Sequence, residues 1–553
     1  MKKIYFYLST LVLVLFVGCN DSFLDEVHPT KKTSAEFLTT DKDAQEAATN
    51  LYSYFTSSIN RYGNGFLATF DILRGDELTL PINFGSNALI QWLTLNYNPE
   101  TTEVQTVWAK TYKTIFNANS IIDNVTGNTA VGKQALAEAY AMRGYCYFNL
   151  TRLFGEVPLM LHQTTPDTYY PVKASEEECW AQVFSDYEKA LQLGIKPPVK
   201  NYVDGRLNSG SVNALMARAY LLRTRPGSDN YWDKVKEYTD AVEKLGIYEL
   251  EPFSDSLSIY VYTKGDKWVY NKEVIWAEGQ HYGPILGGAT FRYDDYSDIG
   301  TEATMPNGLT TYTIKNEVGT IFLPGNGGFS GITRYAVSNS FADEMIKYDA
   351  LGDKRTRQNL YYPTYNSYKS IFNSKTLSFT IAIDKTFNAA DQYAKAKETD
   401  GAQGEYIHIQ KYKIREFYGK NIYDGGWHYS LMMPIIRYAD VLLMRAEAEY
   451  HLGNQSAAKN YLKKITDRAG FAANYVDGFS DQALLDEILN QRRVELFFEG
   501  TRFSDLIRLD MFKPPYVGSY KGSQPWNNKF SVLPIPQREL DINQNLIQNE
   551  LWR

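Results

Sequence analysis

Residues 438–470 read YADVLLMRAEAEYHLGNQSAAKNYLKKITDRAG, and the spacing of their small and apolar side chains indicates the fold class. Leu442 and Ala446 lie one turn apart on a first predicted helix, Gly453 supplies the turn, and Ala458 lies on the inner face of the returning helix. Small Ala446 and Ala458 allow two backbones to approach closely, which is typical of tetratricopeptide helix pairs. Each pair exposes an apolar face that only another pair can cover, so we predict several stacked pairs.

The same helical period recurs on both sides of a long stretch without it. We predict a mainly α protein with tetratricopeptide-like helical pairs in residues 41–250 and 431–553, the latter ending in an extended tail. Residues 251–430 are rich in Gly, Asn, Asp, Ser and Tyr, and we predict a long irregular, loop-rich segment that binds the ligand. The predicted helices are Asp43–Ser58, Thr102–Asn124, Lys133–Phe154, Glu176–Leu193, Ser211–Arg223, Tyr231–Leu245, Arg437–Leu452, Ser456–Ala469 and Asp481–Phe498.

The first residues, MKKIYFYLSTLVLVLFVGCN, predict a processing signal. Two lysines precede an apolar run that is shorter than the roughly 20 residues needed to span a bilayer, so residues 1–18 are interpreted as a signal peptide. A small residue directly before Cys19 resembles the lipobox of bacterial lipoproteins, which implies acylation of Cys19. Residues 19–40 would then be a lipid-anchored tether, and its acidic start resembles the signal that directs some lipoproteins to the outer face of the outer membrane.

Composition excludes several other classes of protein. The net charge is −7 with no basic cluster, which argues against nucleic-acid binding because phosphate neutralisation needs concentrated Lys and Arg. The six histidines are scattered without a zinc motif, and no phosphate-binding loop or nucleophile elbow occurs, so we predict no metal, no cofactor and no enzyme. Cys146 and Cys179 lie in predicted helices; they could pair, although buried free thiols are favoured.

Five segments resemble, in order, the signature segments of the SusD/RagB family. They are AMRGYCYFNLTRLFGEVPLM (141–160), LNSGSVNALMARAYLLRT (207–224), PIIRYADVLLMRAEAEYHLGN (434–454), RRVELFFEGTRFSDLIRL (492–509) and LPIPQRELDINQNLIQN (533–549). The resemblance implies a SusD-like fold in a surface-exposed outer-membrane lipoprotein that captures oligosaccharide. It also implies delivery of that nutrient to a SusC-like TonB-dependent transporter. An oligopeptide ligand is the alternative within the family.

The candidate ligand contacts are aromatic side chains in loops. A neutral sugar has hydroxyls on its rim and a C–H face of low polarity, so proteins bind it with flat rings and a few oriented polar groups. The first candidate group is Trp92 with Asn96, Tyr97 and Asn98 beside it. The second candidate group, in the irregular segment, is Tyr282, Phe291, Arg292, Tyr293 and Tyr296.

Other aromatic and charged residues are predicted to be structural. Trp108, Tyr112 and Phe116 recur at steps of four along one helix face, which indicates core packing. The charges from Arg492 to Arg508 recur at steps of three or four, and we interpret them as ion pairs that lock the C-terminal helices to the stack.

The acidic segment FDILRGDELTL leaves a choice open. Two carboxylates at the right separation would make a glycoside hydrolase, the less favoured alternative function. Acids beside an arginine are more often a structural turn, and in a sugar-binding protein Arg74 and Asp76 would instead bond to hydroxyls. Arg74 and Asp76 are therefore kept as candidate ligand-binding residues.

Overall fold

A computed structural model describes most of the chain in sixteen segments. They are residues 38–59, 67–79, 91–201, 205–225, 230–253, 272–279, 312–316, 319–323, 336–356, 360–361, 368–373, 378–383, 408–409, 416–418, 432–514 and 526–553.

Helices dominate the described residues, as the sequence predicts. They are α1 Asp41–Ile59, α2 Leu67–Arg74, α3 Thr102–Asn124, α4 Ala130–Phe154, α5 Glu176–Gln192, α6 Ser209–Arg223, α7 Trp232–Glu243, α8 Asn339–Asp349, α9 Tyr438–His451, α10 Gln455–Ala469, α11 Asp481–Glu495, α12 Arg502–Arg508 and α13 Gln537–Ile542. Helix α3 packs on α4, α4 on α5, α6 on α7, and α9 on α10. Because α9 also packs on α7 and α11, it joins the N-terminal and C-terminal helices into one stack.

The α9–α10 pair confirms the prediction made from residues 438–470. Ala446 and Ala458 are fully buried in one apolar cluster that also holds Leu442 and Leu462. Gly453 follows α9 with a φ of 82°, a left-handed conformation that glycine adopts without steric cost. Small side chains at the contact and glycine at the turn therefore fix this pair.

Helix boundaries follow local hydrogen bonding. Helix α5 begins with the predicted capping box, in which the Glu178 amide donates to Ser175 Oγ (3.3 Å) and the Ser175 amide donates to Glu178 Oε2 (2.8 Å). Cys146 and Cys179 are buried free thiols, as favoured by the sequence. Burial raises the pKa of the Cys179 thiol to about 11, so the thiol stays protonated at neutral pH and Cys179 serves as a packing residue.

Short antiparallel strands occur in the segment predicted to be irregular, and two more, Leu78–Thr79 and Met432–Arg437, lie in the regions predicted to be helical. They are β1 Leu78–Thr79, β2 Val274–Gly279, β3 Tyr312–Asn316, β4 Gly319–Leu323, β5 Ala336–Val337, β6 Leu360–Tyr361, β7 Tyr368–Asn373, β8 Ser378–Ile383, β9 His408–Ile409, β10 Glu416–Tyr418 and β11 Met432–Arg437. Strand β11 pairs with β2, β1 with β5, β3 with β4, β6 with β9, and β8 lies between β7 and β10. Runs of two to six residues are too short for a reliable alternation pattern, which is why periodicity did not reveal them.

Helices α2, α8, α12 and α13 are also absent from the sequence prediction. Each spans only three turns or fewer, and α13 lies within the tail that was predicted to be extended. Helix α11 ends at Glu495 rather than at Phe498, whose φ of 62° takes the backbone out of the helical region. Tertiary packing, rather than local periodicity, therefore sets these short elements.

The predicted ion pairs are confirmed as a buried structural network. Arg492 contacts Asp440 on α9 and donates from Nε to Asp505 on α12 at 2.8 Å. Arg508 donates to both oxygens of Glu447 on α9, at 2.6 and 2.9 Å. Helices α11 and α12 are thus both bonded to α9 through fully satisfied charges, as locking the C-terminal helices to the stack requires.

A second group of charges converges on Arg437, at the end of β11. Its guanidinium donates to Glu273 before β2 (2.5 Å), to Glu495 on α11 (2.6 Å) and to Glu499 (2.8 Å). Arg437 is 1% exposed. One side chain therefore connects the strand pair to the C-terminal helices.

Candidate functional site

The first predicted ligand group lies in a turn of residues 91–101, which we call the amide turn. Trp92 and Tyr97 are each only 2% exposed, and their rings stack on each other with centroids 4.5 Å apart. Phe70 packs edge-on against Trp92, and the Tyr97 hydroxyl donates to the Phe530 carbonyl at 3.0 Å. Rings that are covered by protein cannot stack on a sugar, so the structure corrects this prediction and places both in the core.

Asn96 and Asn98, in contrast, are exposed on the amide turn. The Asn96 amide donates to the Gln91 carbonyl at 2.8 Å, and the Asn98 side-chain oxygen accepts from the Glu100 amide at 2.9 Å. Thr101 Oγ1 accepts from the Asn98 amide at 3.0 Å and closes the turn. Two side-chain amides thus stand on a fixed backbone above buried rings, an arrangement that can hydrogen-bond to hydroxyl groups.

Arg74 and Asp76 are internal structural residues, which corrects their prediction as ligand contacts. Asp76 accepts two bonds from Arg502, at 2.7 and 2.8 Å. Burial alone would raise the pKa of Asp76, but the Arg493 and Arg502 guanidiniums lower it to about 2. Arg74 is fully buried over the Phe503 ring, 3.6 Å from its centroid. Neither charge can reach a bound ligand.

The three acids considered as a hydrolytic site are also buried structural residues. Asp71, Asp76 and Glu77 are 1%, 4% and 3% exposed, and Asp71 bonds to Arg152 at 2.5 Å. Burial raises the pKa of Asp71, while Arg152 and Arg74 oppose that rise. A hydrolytic pair must flank an open cleft, so these three carboxyls do not form a glycosidase site.

The remaining predicted site residues lie outside the described residues. These are Cys19 and the second aromatic group, Tyr282, Phe291, Arg292, Tyr293 and Tyr296. Within the described residues, no group of three or more His, Cys, Asp or Glu could hold a metal ion. The helices among those residues include none that is long and apolar enough to cross a bilayer.

One surface was missed by the sequence analysis. Trp108 is buried as predicted, and Tyr112 is half-buried and packs against the core, but Phe116 is 45% exposed, so the prediction that Phe116 belongs to the core is wrong. The α3 face that carries it is covered at Trp108 by Phe154, at a centroid distance of 5.0 Å, but is left open one helical turn beyond Tyr112. Tyr169 and Tyr170, between Pro166 and Pro171, are also exposed, and a tyrosine pair framed by prolines was the available signal.

The open part of α3 forms one side of a cavity of about 340 Å³, which we call the aromatic groove. Its lining includes Trp108, Tyr112, Phe116, Tyr169, Glu539 and Ile542. The groove therefore combines exposed rings with a carboxyl group on a described part of the surface.

Comparison with models of protein families shows the family of this chain. A model described as "SusD family" matches residues 272–552, half of the chain. The chain belongs to the SusD family. A second model, described as "Starch-binding associating with outer membrane", matches residues 23–221 of this SusD-family chain. Together the two matches cover residues 23–221 and 272–552, and helix α7 lies between the two matched ranges.

Individual relatives and solved structures are similar to this chain over nearly its full length. A SusD-like protein, P2, of Formosa agariphila is 23% identical, with 99% of each chain covered. A SusD superfamily protein of Bacteroides vulgatus has a TM-score of 0.67 at 19% identity, covering 93% of this chain and 100% of its own. Surface glycan-binding protein A of Bacteroides thetaiotaomicron, solved with laminarihexaose, has a TM-score of 0.67 at 19% identity, with 92% and 100% covered. These likenesses confirm the predicted SusD-like, mainly helical fold.

Proposed function

We propose that this protein binds oligosaccharide or polysaccharide at the cell surface and delivers it to a SusC-like TonB-dependent transporter. Membership of the SusD family carries the proposal, since the second matching model is described by starch binding and outer-membrane association. The laminarihexaose complex of a structural neighbour supports a sugar rather than a peptide ligand. A binding protein, rather than a hydrolase, agrees with burial of Asp71, Asp76 and Glu77.

The ligand surface that we propose includes Asn96 and Asn98 of the amide turn, with the aromatic side chains predicted in residues 282–296 supplying ring faces. Side-chain amides both donate and accept hydrogen bonds, so they suit hydroxyls, which also do both. Because the amide turn is already fixed by its own hydrogen bonds, little conformational entropy is lost when a sugar binds it.

The first prediction concerns affinity for glycans. We expect the purified protein to bind at least one member of a panel of neutral polysaccharides that includes laminarin, xylan and starch, measured by affinity electrophoresis. Replacing both Asn96→Ala and Asn98→Ala should weaken that binding about tenfold, because each lost hydrogen bond to a neutral partner contributes about 0.5–1.5 kcal/mol. Calorimetry with a fragment of the bound polysaccharide measures the change in Kd.

Asn460→Ala is the matched control, since Asn460 is an exposed asparagine on α10. It should bind like the unaltered protein. Binding of oligopeptides with no binding of any glycan would instead favour the peptide alternative, and binding of neither would refute the proposed ligand class.

The second prediction concerns attachment and partner. We propose that Cys19 is acylated after removal of residues 1–18 and that the lipid holds the protein on the outer face of the outer membrane. A single acyl chain anchors only weakly, whereas several chains on one cysteine hold a protein stably. In cells that make the protein, we expect it to incorporate a palmitate analogue, to sediment with outer membranes and to be cleaved by protease added outside.

Cys19→Ser should abolish labelling and release the protein from the membrane fraction, whereas Cys146→Ser should change neither result. From detergent-solubilised membranes, the unaltered protein should co-purify with a TonB-dependent barrel. Labelling that persists in Cys19→Ser, or protection from external protease in intact cells, would contradict the proposed anchor or its orientation.

A further inference from the structure

The aromatic groove has three walls that come from distant parts of the chain. Helix α3 supplies Tyr112 and Phe116, the segment 158–171 supplies Tyr169, and α13 supplies Glu539 and Ile542. Phe116, Tyr169 and Ile542 are 45%, 57% and 56% exposed. Side chains of this size are normally covered in a protein core, so three of them around one cavity mark a surface suited to binding.

Hydrogen bonds hold the walls in place without a ligand. Tyr112 donates from its hydroxyl to the Pro158 carbonyl at 2.8 Å, and Asn119 donates to the Met160 carbonyl at 2.8 Å. On the other side, Asn543 donates from Nδ2 to the Pro171 carbonyl at 2.7 Å. The segment 158–171 is therefore bonded both to α3 and to the residue that follows α13, and the cavity is preformed.

Glu539 gives the groove its polar group. Its side chain is half-buried, and within the described part of the chain its carboxyl group forms neither an ion pair nor a hydrogen bond. Burial raises the pKa of this carboxyl, while nearby Arg538 opposes the rise. A partly desolvated carboxyl is stabilised by hydrogen-bond donors, so an occupant that brings hydroxyl groups satisfies it.

The groove is also fixed relative to the amide turn. The Gln537 amide, at the start of α13, donates to the Pro99 carbonyl at 2.9 Å. Because Glu539 lies two residues further along the same helix, both surfaces are attached to a single short element. One long chain that bound at both places would gain affinity through effective concentration.

We propose that the aromatic groove is a second binding site, for a segment of neutral polysaccharide. The inference rests on the proposed function and adds a place and a chemistry to it. Ring faces of Tyr169 and Phe116 contact the C–H faces of the sugar, and Glu539 accepts from its hydroxyls. The carboxylate disfavours uronate or sulfate groups by repulsion. An apolar protein segment would cover Glu539 without supplying a donor, at a cost in free energy that a sugar avoids.

Tyr169→Ala and Phe116→Ala test the inference. The probe is the polysaccharide of the panel that the unaltered protein binds most tightly. Each variant should weaken binding about 3- to 10-fold, as expected for loss of one stacked ring. Tyr170→Ala is the matched control because Tyr170 is 55% exposed, next in sequence and outside the groove lining; it should bind normally. Hydrogen exchange should slow in segments 158–171 and 537–546 when the polysaccharide is added.

The outcomes separate this inference from the proposed function. If the unaltered protein binds glycan and both groove variants bind it equally well, the groove is not a glycan site and the proposed function stands. If the unaltered protein binds no glycan, the proposed function fails and the groove site fails with it. If the variants bind glycan normally but no longer co-purify with the barrel, the groove is a protein-docking surface and the inference is overturned.

Discussion

Arg437→Ala is expected to lower the free energy of unfolding by about 3–5 kcal/mol, the range found when one partner of a buried ion pair is removed. Arg437 is 1% exposed and donates to Glu273, before β2, and to Glu495 and Glu499, at and just after the end of α11. Without the guanidinium, these buried carboxylates repel one another where water cannot screen them. The positive charges that remain nearby, Arg355 and Arg468, number fewer than the three acids.

Equilibrium denaturation in urea, followed by circular dichroism, measures this change as a lower midpoint. Arg225→Ala is the control, because Arg225 is 45% exposed and lies 3.7 Å from Glu176, and such exposed pairs contribute at most about 1 kcal/mol. The loss of stability in Arg437→Lys should lie between those of Arg437→Ala and Arg225→Ala, since lysine keeps the charge and loses the planar guanidinium. Equal losses in Arg437→Ala and Arg225→Ala would show that the contacts of Arg437 do not stabilise the fold.

The helical stack was predictable from sequence because its signals are local. Apolar residues at helical spacing and the Ser175–Glu178 box act within a few residues of one another, so α3, α5 and α10 were predicted within one residue at each end. The ion pairs from Arg492 to Arg508 were also recognisable by type, because a helix places charges three or four residues apart on one face. Their partners were not recognisable, since Asp440 and Glu447 lie on a different helix.

The candidate site was less predictable because exposure depends on distant chain segments. Trp92 and Tyr97 look like loop aromatics in the sequence, yet Phe530 and Trp552 of the C-terminal tail cover Tyr97. The opposite error occurs at Phe116: its spacing from Trp108 and Tyr112 indicates a core position, but none of the segments that the structure describes covers that turn of α3. Whether a ring packs in the core or is available to a ligand is therefore decided by contacts that periodicity does not contain.

Trp92→Ala is expected to lower the free energy of unfolding by about 3–5 kcal/mol, as truncation of a large buried aromatic residue does. Trp92 fills the space between Phe70 and Tyr97, with both ring centroids at 4.5 Å, so its removal leaves a cavity below the amide turn. A stacking platform would behave differently: its loss would weaken glycan binding with little effect on stability. Urea denaturation and calorimetry on the same samples separate the two roles.

Trp92→Phe makes the comparison sharper, because phenylalanine keeps an aromatic ring in the core and leaves a smaller cavity. We expect it to recover much of the lost stability and to bind glycan like the unaltered protein, since Asn96 and Asn98 then keep their support. Tyr170→Ala, at an exposed ring, should leave the denaturation midpoint unchanged. If Trp92→Ala unfolds at the normal midpoint and binds glycan at least tenfold more weakly, Trp92 is a ligand contact rather than a core residue. The contacts with Phe70 and Tyr97 argue for the opposite result, because a ring already stacked on one face and met edge-on by another has no free face to offer.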